Sequence, residues 1–146
     1  MTRTIRTGLL LAGMTLFSAT TQAVVGEQQW GEWYGNISGM EFEINTQNAA
    51  GEVLTLTCGS GKLAVAYSVP AEDYRVSSRT GLIEPGLSIN GINHPLDEAA
   101  FTALKAAGEK GVIKITSMNS VISKKFSAKG LGNALADTTW LDCINH

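Results

Sequence analysis

The feature that most constrains the fold is a short amphipathic helix that lies between predicted strands in the second half of the chain. Apolar residues recur there at helical spacing, which predicts one buried stripe. Asp97 is placed to accept hydrogen bonds from the first turn, and Gly108 ends the pattern. About three turns fit, too few to be stable alone, so we expect the stripe to pack on a sheet. The stripe comprises Ala100, Phe101, Leu104 and Ala107, and the polar face comprises Glu98, Thr102, Lys105 and Glu109.

Strands are predicted on both sides of this helix, because apolar and polar residues alternate there. Residues 87–89 run into Asn90 and Gly91, a two-residue turn signal in which both residues tolerate positive φ. In the strand over 40–45, Met40 and the apolar residues that alternate with it are expected to face the core. The remaining predicted strands span 24–35, 53–58, 63–69, 112–116 and 121–128.

These elements predict an α+β fold: a small, mostly antiparallel β-sheet of about six strands with one main helix packed across it. The aromatic residues of the first strand, Trp30, Trp33 and Tyr34, are expected to cap the core, with a ligand platform as the alternative.

The beginning of the chain has the three parts of a secretory signal peptide. Arg3 and Arg6 precede an apolar run from Gly8 to Phe17, and small residues follow as far as Ala23. The apolar run is too short to span a bilayer as a helix. We therefore expect cleavage after Ala23, which makes residues 1–23 the signal peptide and residues 24–146 one α+β domain in the periplasm or outside the cell.

Removal of the signal peptide makes the protein more acidic. Without Arg3 and Arg6, the basic residues fall from 11 to 9 against 13 acidic ones, a net charge of −4. A domain of this charge is not expected to bind nucleic acid.

Cys58 and Cys143 are the only two cysteines. Export would place them in an oxidising compartment, where disulfides persist. We therefore predict one intramolecular disulfide, Cys58–Cys143. It would close a loop of about 85 residues and contribute about 4 kcal/mol in the chain-entropy model. Two separate buried thiols are the alternative.

Candidate contact residues lie on the surface on either side of the helix. The segment from Pro70 to Pro85 carries Arg75 and Arg79 and is predicted to be an irregular loop with a short edge strand over 74–76. It is either a contact loop or an ordinary connection. A basic cluster after the helix would contact an acidic surface or protect an edge strand. It comprises Lys124, Lys125 and Lys129.

Residue types that carry out catalysis or bind metal are sparse. His94 and His146 are the only histidines, so we predict neither a metal site nor a cofactor. The run over 59–62 has the Gly-Lys of a phosphate loop, but Leu63 stands where that motif needs Ser or Thr. A hydrolase would have to use His94 with Asp97 as its orienting group. We expect no catalytic residues and predict that the protein is not an enzyme.

The order of elements in the second half of the chain resembles the invasion-associated locus B family of exported bacterial proteins. The resemblance rests on the strand and turn over 87–91, the helix motif A-F-x-A-L-K-A over 100–106, and the paired strands that lead into 126–131. Trp30 and Trp33 near the predicted mature N-terminus are also consistent with it. The resemblance implies a β-rich periplasmic protein that binds another protein in the cell envelope or in a host, and it implies no catalytic residue.

A second resemblance is to the periplasmic inhibitors of C-type lysozyme. Their Ser-Gly-x-x-Tyr loop would correspond to 38–42, with Phe42 in place of the tyrosine. Their Thr-Lys-Gly signature would correspond to 128–130, with Ala128 in place of the threonine. This resemblance implies an inhibitor or immunity protein against a lysozyme or toxin, with Ser38 and Lys129 as contact residues. Protein binding by a non-catalytic exported protein is the first expectation, and the inhibitor is the alternative.

Overall fold

Two antiparallel β-sheets account for most of the secondary structure in the computed structural model, which describes residues 27–38, 41–59 and 61–145. The predicted signal peptide and the predicted core residue Met40 lie outside these ranges. The prediction of a mostly antiparallel β fold is confirmed, but the strands are divided between two sheets rather than gathered in one.

The first sheet contains six strands, each paired antiparallel with the next in sequence. The edge strand predicted over 74–76 is confirmed as its last strand. The single strand predicted over 24–35 is wrong. The part of it that is described forms a hairpin, because Gly31 adopts a positive φ of 57° and Trp30 pairs with Trp33. The strands are β1 (Gln28–Trp30), β2 (Trp33–Ser38), β3 (Glu41–Gln47), β4 (Val53–Gly59), β5 (Lys62–Val69) and β6 (Tyr74–Ser77).

The second sheet is built around β7, which pairs with β8 on one side and with β9 on the other. The turn predicted at Asn90 and Gly91 is confirmed, with φ values of 51° and 86°. Two short strands, β10 and β11, both pair with β9. The strands are β7 (Pro85–Ile89), β8 (Ile92–Pro95), β9 (Val112–Ser117), β10 (Ser120–Val121) and β11 (Phe126–Ser127).

The continuous strand predicted over 121–128 is wrong, because Ser123 interrupts it. The backbone N–H of Ile115 donates to the Ser123 hydroxyl at 3.0 Å, where a regular ladder would offer a backbone carbonyl. That hydroxyl in turn donates to the carbonyl of Lys124 at 2.8 Å. The local side-chain bonds compete with the ladder and divide the strand into β10 and β11.

The described residues include three α-helices: α1 (Glu98–Lys105), α2 (Leu131–Ala134) and α3 (Trp140–Ile144). Asp97 caps α1 as predicted, with its carboxylate accepting from the N–H groups of Ala99 (3.0 Å) and Ala100 (3.3 Å). Phe101 and Leu104 of the predicted stripe are buried. The helix contacts β7, β8 and the two shorter helices. One helix packed across a single sheet is therefore not confirmed as the arrangement.

Lys105 was expected on the exposed face of α1, and this expectation is wrong. Its ammonium group donates to the carbonyl of Thr138 at 2.7 Å and lies 5.6 Å from the centre of the Phe101 ring. The segment between α2 and α3 passes beside this face of the helix. Lys105 therefore satisfies a backbone carbonyl rather than being surrounded by solvent.

The predicted disulfide joins β4 to α3. Cys58 and Cys143 are bonded, their Cα atoms are 5.1 Å apart, and both residues are buried. The bridge holds α3 against β4 and β5 of the first sheet. Alternating strand residues form the core on the same side, as predicted for Phe42, Ile44 and Leu56.

The two sheets are also tied together by hydrogen bonds. The fully buried Trp33 on β2 donates from its indole N–H to the carbonyl of Ser127 on β11 at 2.9 Å. Trp33 therefore belongs to the core, in agreement with the expectation that the aromatic residues near the start cap it.

Candidate functional site

The outer face of the first sheet carries an open groove of about 520 Å³, which we call the sheet groove. Its floor consists of small side chains on β4 and β5, and the register places Thr55 opposite Ala66 and Thr57 opposite Ala64. Because side chains alternate along a strand, these residues point away from the core that their neighbours form. Small residues in four adjacent positions leave a depression that larger side chains would fill.

The two walls of the sheet groove carry opposite charge. Glu41 and Glu43 on β3 line one side, and Arg75 on β6 and Arg79 in the following loop line the other. Since β4 and β5 separate β3 from β6, the backbones of the walls are about 14 Å apart. The groove therefore presents carboxylates and guanidinium groups to the same ligand.

The arginine wall is held in place by backbone hydrogen bonds. Ser78 donates its N–H to the carbonyl of Val65 at 2.7 Å, and its hydroxyl accepts from the N–H of Val65 at 3.0 Å. The N–H of Arg79 donates to the hydroxyl of Ser77 at 3.2 Å. The segment expected to be irregular thus continues the edge of the sheet beyond β6. Its arginines extend from a positioned backbone.

Three of the four predicted contact residues line this one groove, and the fourth does not. Ser38, Arg75 and Arg79 all belong to the sheet groove. Lys129 is elsewhere, because its carbonyl accepts from the N–H of Glu32 at 3.0 Å, just before β2 begins. Ser38 ends β2, so the two backbones are separated by about 20 Å of extended strand.

A second polar site links the two sheets through Glu52, which lies in the turn between β3 and β4. Its carboxylate accepts from the Tyr67 hydroxyl (2.5 Å), the Asn48 amide (2.8 Å) and the backbone N–H of Lys124 (2.8 Å). Lys124 lies 72 residues further along the chain, between β10 and β11. One carboxylate therefore fastens the first sheet to the interrupted strand of the second.

The surroundings of Glu52 and Tyr67 shift the pKa values of the two groups in opposite directions. Burial by itself raises the pKa of the Glu52 carboxyl, but its donors and the Lys124 charge outweigh burial and hold this pKa below the ordinary 4.5. Burial, followed by the neighbouring carboxylate, raises the pKa of the Tyr67 hydroxyl. Both effects favour a charged Glu52 that accepts from a protonated Tyr67.

Replacing Glu52 with Gln should make the free energy of unfolding less sensitive to acid. A carboxyl with a lowered folded pKa contributes its full stability above its ordinary value of 4.5 and loses it as the pH falls through the folded pKa. At pH 7 we expect Glu52→Gln to cost about 1 kcal/mol, since a charge-assisted acceptor becomes neutral. Urea denaturation between pH 7 and pH 3 should show this difference shrinking towards acid. Glu27→Gln, an exposed control, should show no such trend, and a difference that grew towards acid would contradict the assignment.

His94 and Asp97 do not form the hydrogen-bonded pair that a hydrolase would need. The carboxylate of Asp97 is engaged at the start of α1, and no hydrogen bond joins it to His94 in the part of the chain that the structure describes. Within residues 27–38, 41–59 and 61–145, no group of three His, Cys, Asp or Glu residues is arranged to hold a metal ion.

The residues that sequence reasoning missed are the carboxylates. Glu41 and Glu43 were expected only to face away from the core, and their alternation in β3 was the available signal. That alternation assigns them to a face but does not show that β6 brings arginines to the same face. The role of Glu52 could not be predicted from neighbouring residues, because its partners Tyr67 and Lys124 lie 15 and 72 residues away along the chain.

Comparison of the chain with protein-family models, with curated proteins and with solved structures finds no match. Among the helices of the described residues, none is long and apolar enough to cross a membrane.

Proposed function

We propose that this protein is exported, is not an enzyme, and acts by binding another protein through the sheet groove. The observation that supports the proposal is the groove itself, in which walls of opposite charge face each other across a floor of small side chains. A protein segment can lie on such a floor because no large side chain obstructs it. Arginine is enriched at the residues that dominate binding energy in protein interfaces.

The charges of the groove define the kind of segment that it would accept. A partner would place an acidic side chain against Arg75 and Arg79, and a basic or hydrogen-bond-donating side chain against Glu41 and Glu43. Such complementarity fixes the orientation of the bound segment and accelerates encounter. Export is supported by the signal-like beginning of the chain and is compatible with the Cys58–Cys143 bridge. A role in the cell envelope or at a host surface follows the resemblance to invasion-associated locus B proteins.

Inhibition of a lysozyme or toxin is the alternative function. Its two signature residues, Ser38 and Lys129, lie near opposite ends of β2, and only Ser38 lines the sheet groove. Ser38 lines the sheet groove, and inhibition through the groove alone would leave Lys129 without a role. Because the groove contains only one of the two signature residues, we keep general protein binding as the first proposal and inhibition as the alternative.

Reversing the charge of the arginine wall should weaken binding to the partner. We expect Arg75→Glu with Arg79→Glu to weaken the affinity by about tenfold or more, because like charges would face each other in the complex. Partners captured from a periplasmic extract by the mature protein can be identified and their affinities measured by calorimetry. Lys62→Glu reverses one charge at an exposed residue outside the groove and should leave binding unchanged.

Two results would contradict the proposal. If the captured partners bound the double variant and the native protein equally tightly, the sheet groove would not be the binding site. A hydrolytic activity that disappeared in His94→Gln would make the protein an enzyme. Inhibition of a lysozyme that was lost on changing Ser38 but retained on changing Lys129 would identify the partner as a lysozyme bound at the groove.

A further inference from the structure

A second concavity, of about 700 Å³, lies between the β3–β4 turn of the first sheet and the strands β9 and β11 of the second. We call it the lysine cleft. It lies apart from the sheet groove, since the two share no lining residue. Its volume is in the range of sites that hold small molecules, about 300–1,000 Å³. The basic residues that line it are Lys110, Lys114, Lys124 and Lys125.

The concentration of positive charge in this cleft is unusual for the chain. Four of its seven lysines converge there, although the protein as a whole has a net charge of −2. The only carboxylate among the lining residues is that of Glu32. In the described part of the chain, none of the four ammonium groups forms a hydrogen bond or an ion pair. Glu52, whose charge acts on Lys124, already accepts three hydrogen bonds.

The backbone that carries Lys124 and Lys125 is held before any ligand binds. The N–H of Lys124 donates to Glu52 at 2.8 Å, and its carbonyl accepts from the Ser123 hydroxyl at 2.8 Å. Ser123 is itself buried and bonded to β9. Like charges on a positioned backbone repel each other, and an anion bound between them would relieve this repulsion.

The lysines belong to two segments that face the cleft from different positions. Lys114 lies in β9, and Lys110 lies in the turn that leads into it. Lys124 and Lys125 precede β11, which pairs with β9 through Phe126 and Ile113. This register places Lys125 beside Lys114 and leaves Lys110 towards the other end. An anion with two charged groups can contact both ends, whereas a single small anion can contact only one.

We propose that the lysine cleft binds a small molecule that carries two phosphate groups. Lysine is a strongly hydrated point charge with three donors and is a common phosphate ligand. The partly buried Val112, two residues before Lys114 on the same face of β9, adds an apolar contact for the body of the ligand. The shared chemistry is the pair of phosphates, which either an inorganic diphosphate or a sugar bisphosphate supplies.

Calorimetry at constant ionic strength tests the proposal with three probes: inorganic pyrophosphate, fructose 1,6-bisphosphate and orthophosphate. Both two-phosphate probes should bind about tenfold or more tightly than orthophosphate, because each offers two charged groups to the four lysines at once. Tighter binding of the sugar bisphosphate than of pyrophosphate would indicate an organic ligand, and the reverse would indicate an inorganic one.

Charge-matched variants distinguish binding in the lysine cleft from non-specific attraction of an anion to any lysine of the protein. Lys114→Gln with Lys125→Gln should weaken pyrophosphate binding by about tenfold or more, and Lys62→Gln with Lys129→Gln, which lie outside the cleft, should change it by less than about twofold. Thermal melts confirm that each variant is folded. The variant Arg75→Glu with Arg79→Glu should bind pyrophosphate as tightly as the native protein. Failure of the phosphate-site proposal and failure of the sheet-groove proposal are therefore distinguishable. Equal losses in the two lysine pairs, or no binding of either two-phosphate probe, would overturn the proposal.

Discussion

Removing the Cys58–Cys143 disulfide should lower the free energy of unfolding by about 4 kcal/mol. The bridge joins residues 85 positions apart, so its absence restores a large loop entropy to the unfolded chain. Small domains are stable by only about 5–15 kcal/mol, so the loss is a large share of the total. Urea denaturation of Cys58→Ala with Cys143→Ala, compared with the native protein, measures it. The native protein with a thiol reductant added should show the same loss.

The structure indicates which element should be destabilised first when the disulfide is absent. α3 is short, and besides the bridge it depends on the capping box at Thr139 and on contacts with β4 and β5. Amide hydrogen exchange should therefore accelerate in α3 before it does so in β7 or β9. An unchanged urea midpoint in the double variant would show that packing alone holds the tail.

Truncating either large residue of the α1 stripe should lower the free energy of unfolding almost as much as removing the disulfide does. Phe101 and Leu104 are at most 2 % exposed, and each change to Ala would leave a cavity among β7, β8 and the shorter helices. We expect Phe101→Ala and Leu104→Ala each to lower the free energy of unfolding by about 2–5 kcal/mol. Thr102→Ala, on the exposed face of the same helix, should change it by less than about 0.5 kcal/mol. Urea denaturation of the three variants gives the comparison.

Lys105 provides a further check on this packing. If Lys105 were on an exposed face, Lys105→Ala would hardly change the free energy of unfolding. In the structure, the substitution leaves the carbonyl of Thr138 without its donor. We expect Lys105→Ala to cost about 1 kcal/mol, between the stripe variants and Thr102→Ala. Equal effects at all four positions would show that the buried face of α1 is assigned incorrectly.

Part of the candidate site could be predicted from the sequence. Arg75, Arg79 and Ser38 were identified as contact residues, and all three line the sheet groove. Nothing in the sequence showed that they lie on one surface with Glu41 and Glu43, because that depends on which strands pair. Lys129 was also predicted as a contact residue from a local motif; it is exposed but lies outside the groove.

The sequence by itself determined the features that depend on neighbouring residues. These include the cap at Asp97, the buried stripe of α1, the turn at Asn90 and the inward face of β4. Such features arise from dihedral preferences, side-chain periodicity and hydrogen bonds within a few residues, so a short stretch is enough to specify them. The pairing of Cys58 with Cys143 could also be predicted, because there was only one way to join two cysteines.

Only the tertiary structure decided how these elements meet. The strands are divided between two sheets. The bond from Lys124 to Glu52 and the bond from Lys105 to Thr138 join residues 72 and 33 positions apart. Alternation indicates that a strand has an inner face, but not which sheet or helix covers it. That choice is made by burying apolar area and satisfying polar groups over the whole chain at once, as at Glu52, whose carboxylate accepts from Tyr67 of the first sheet and from Lys124 beside the second.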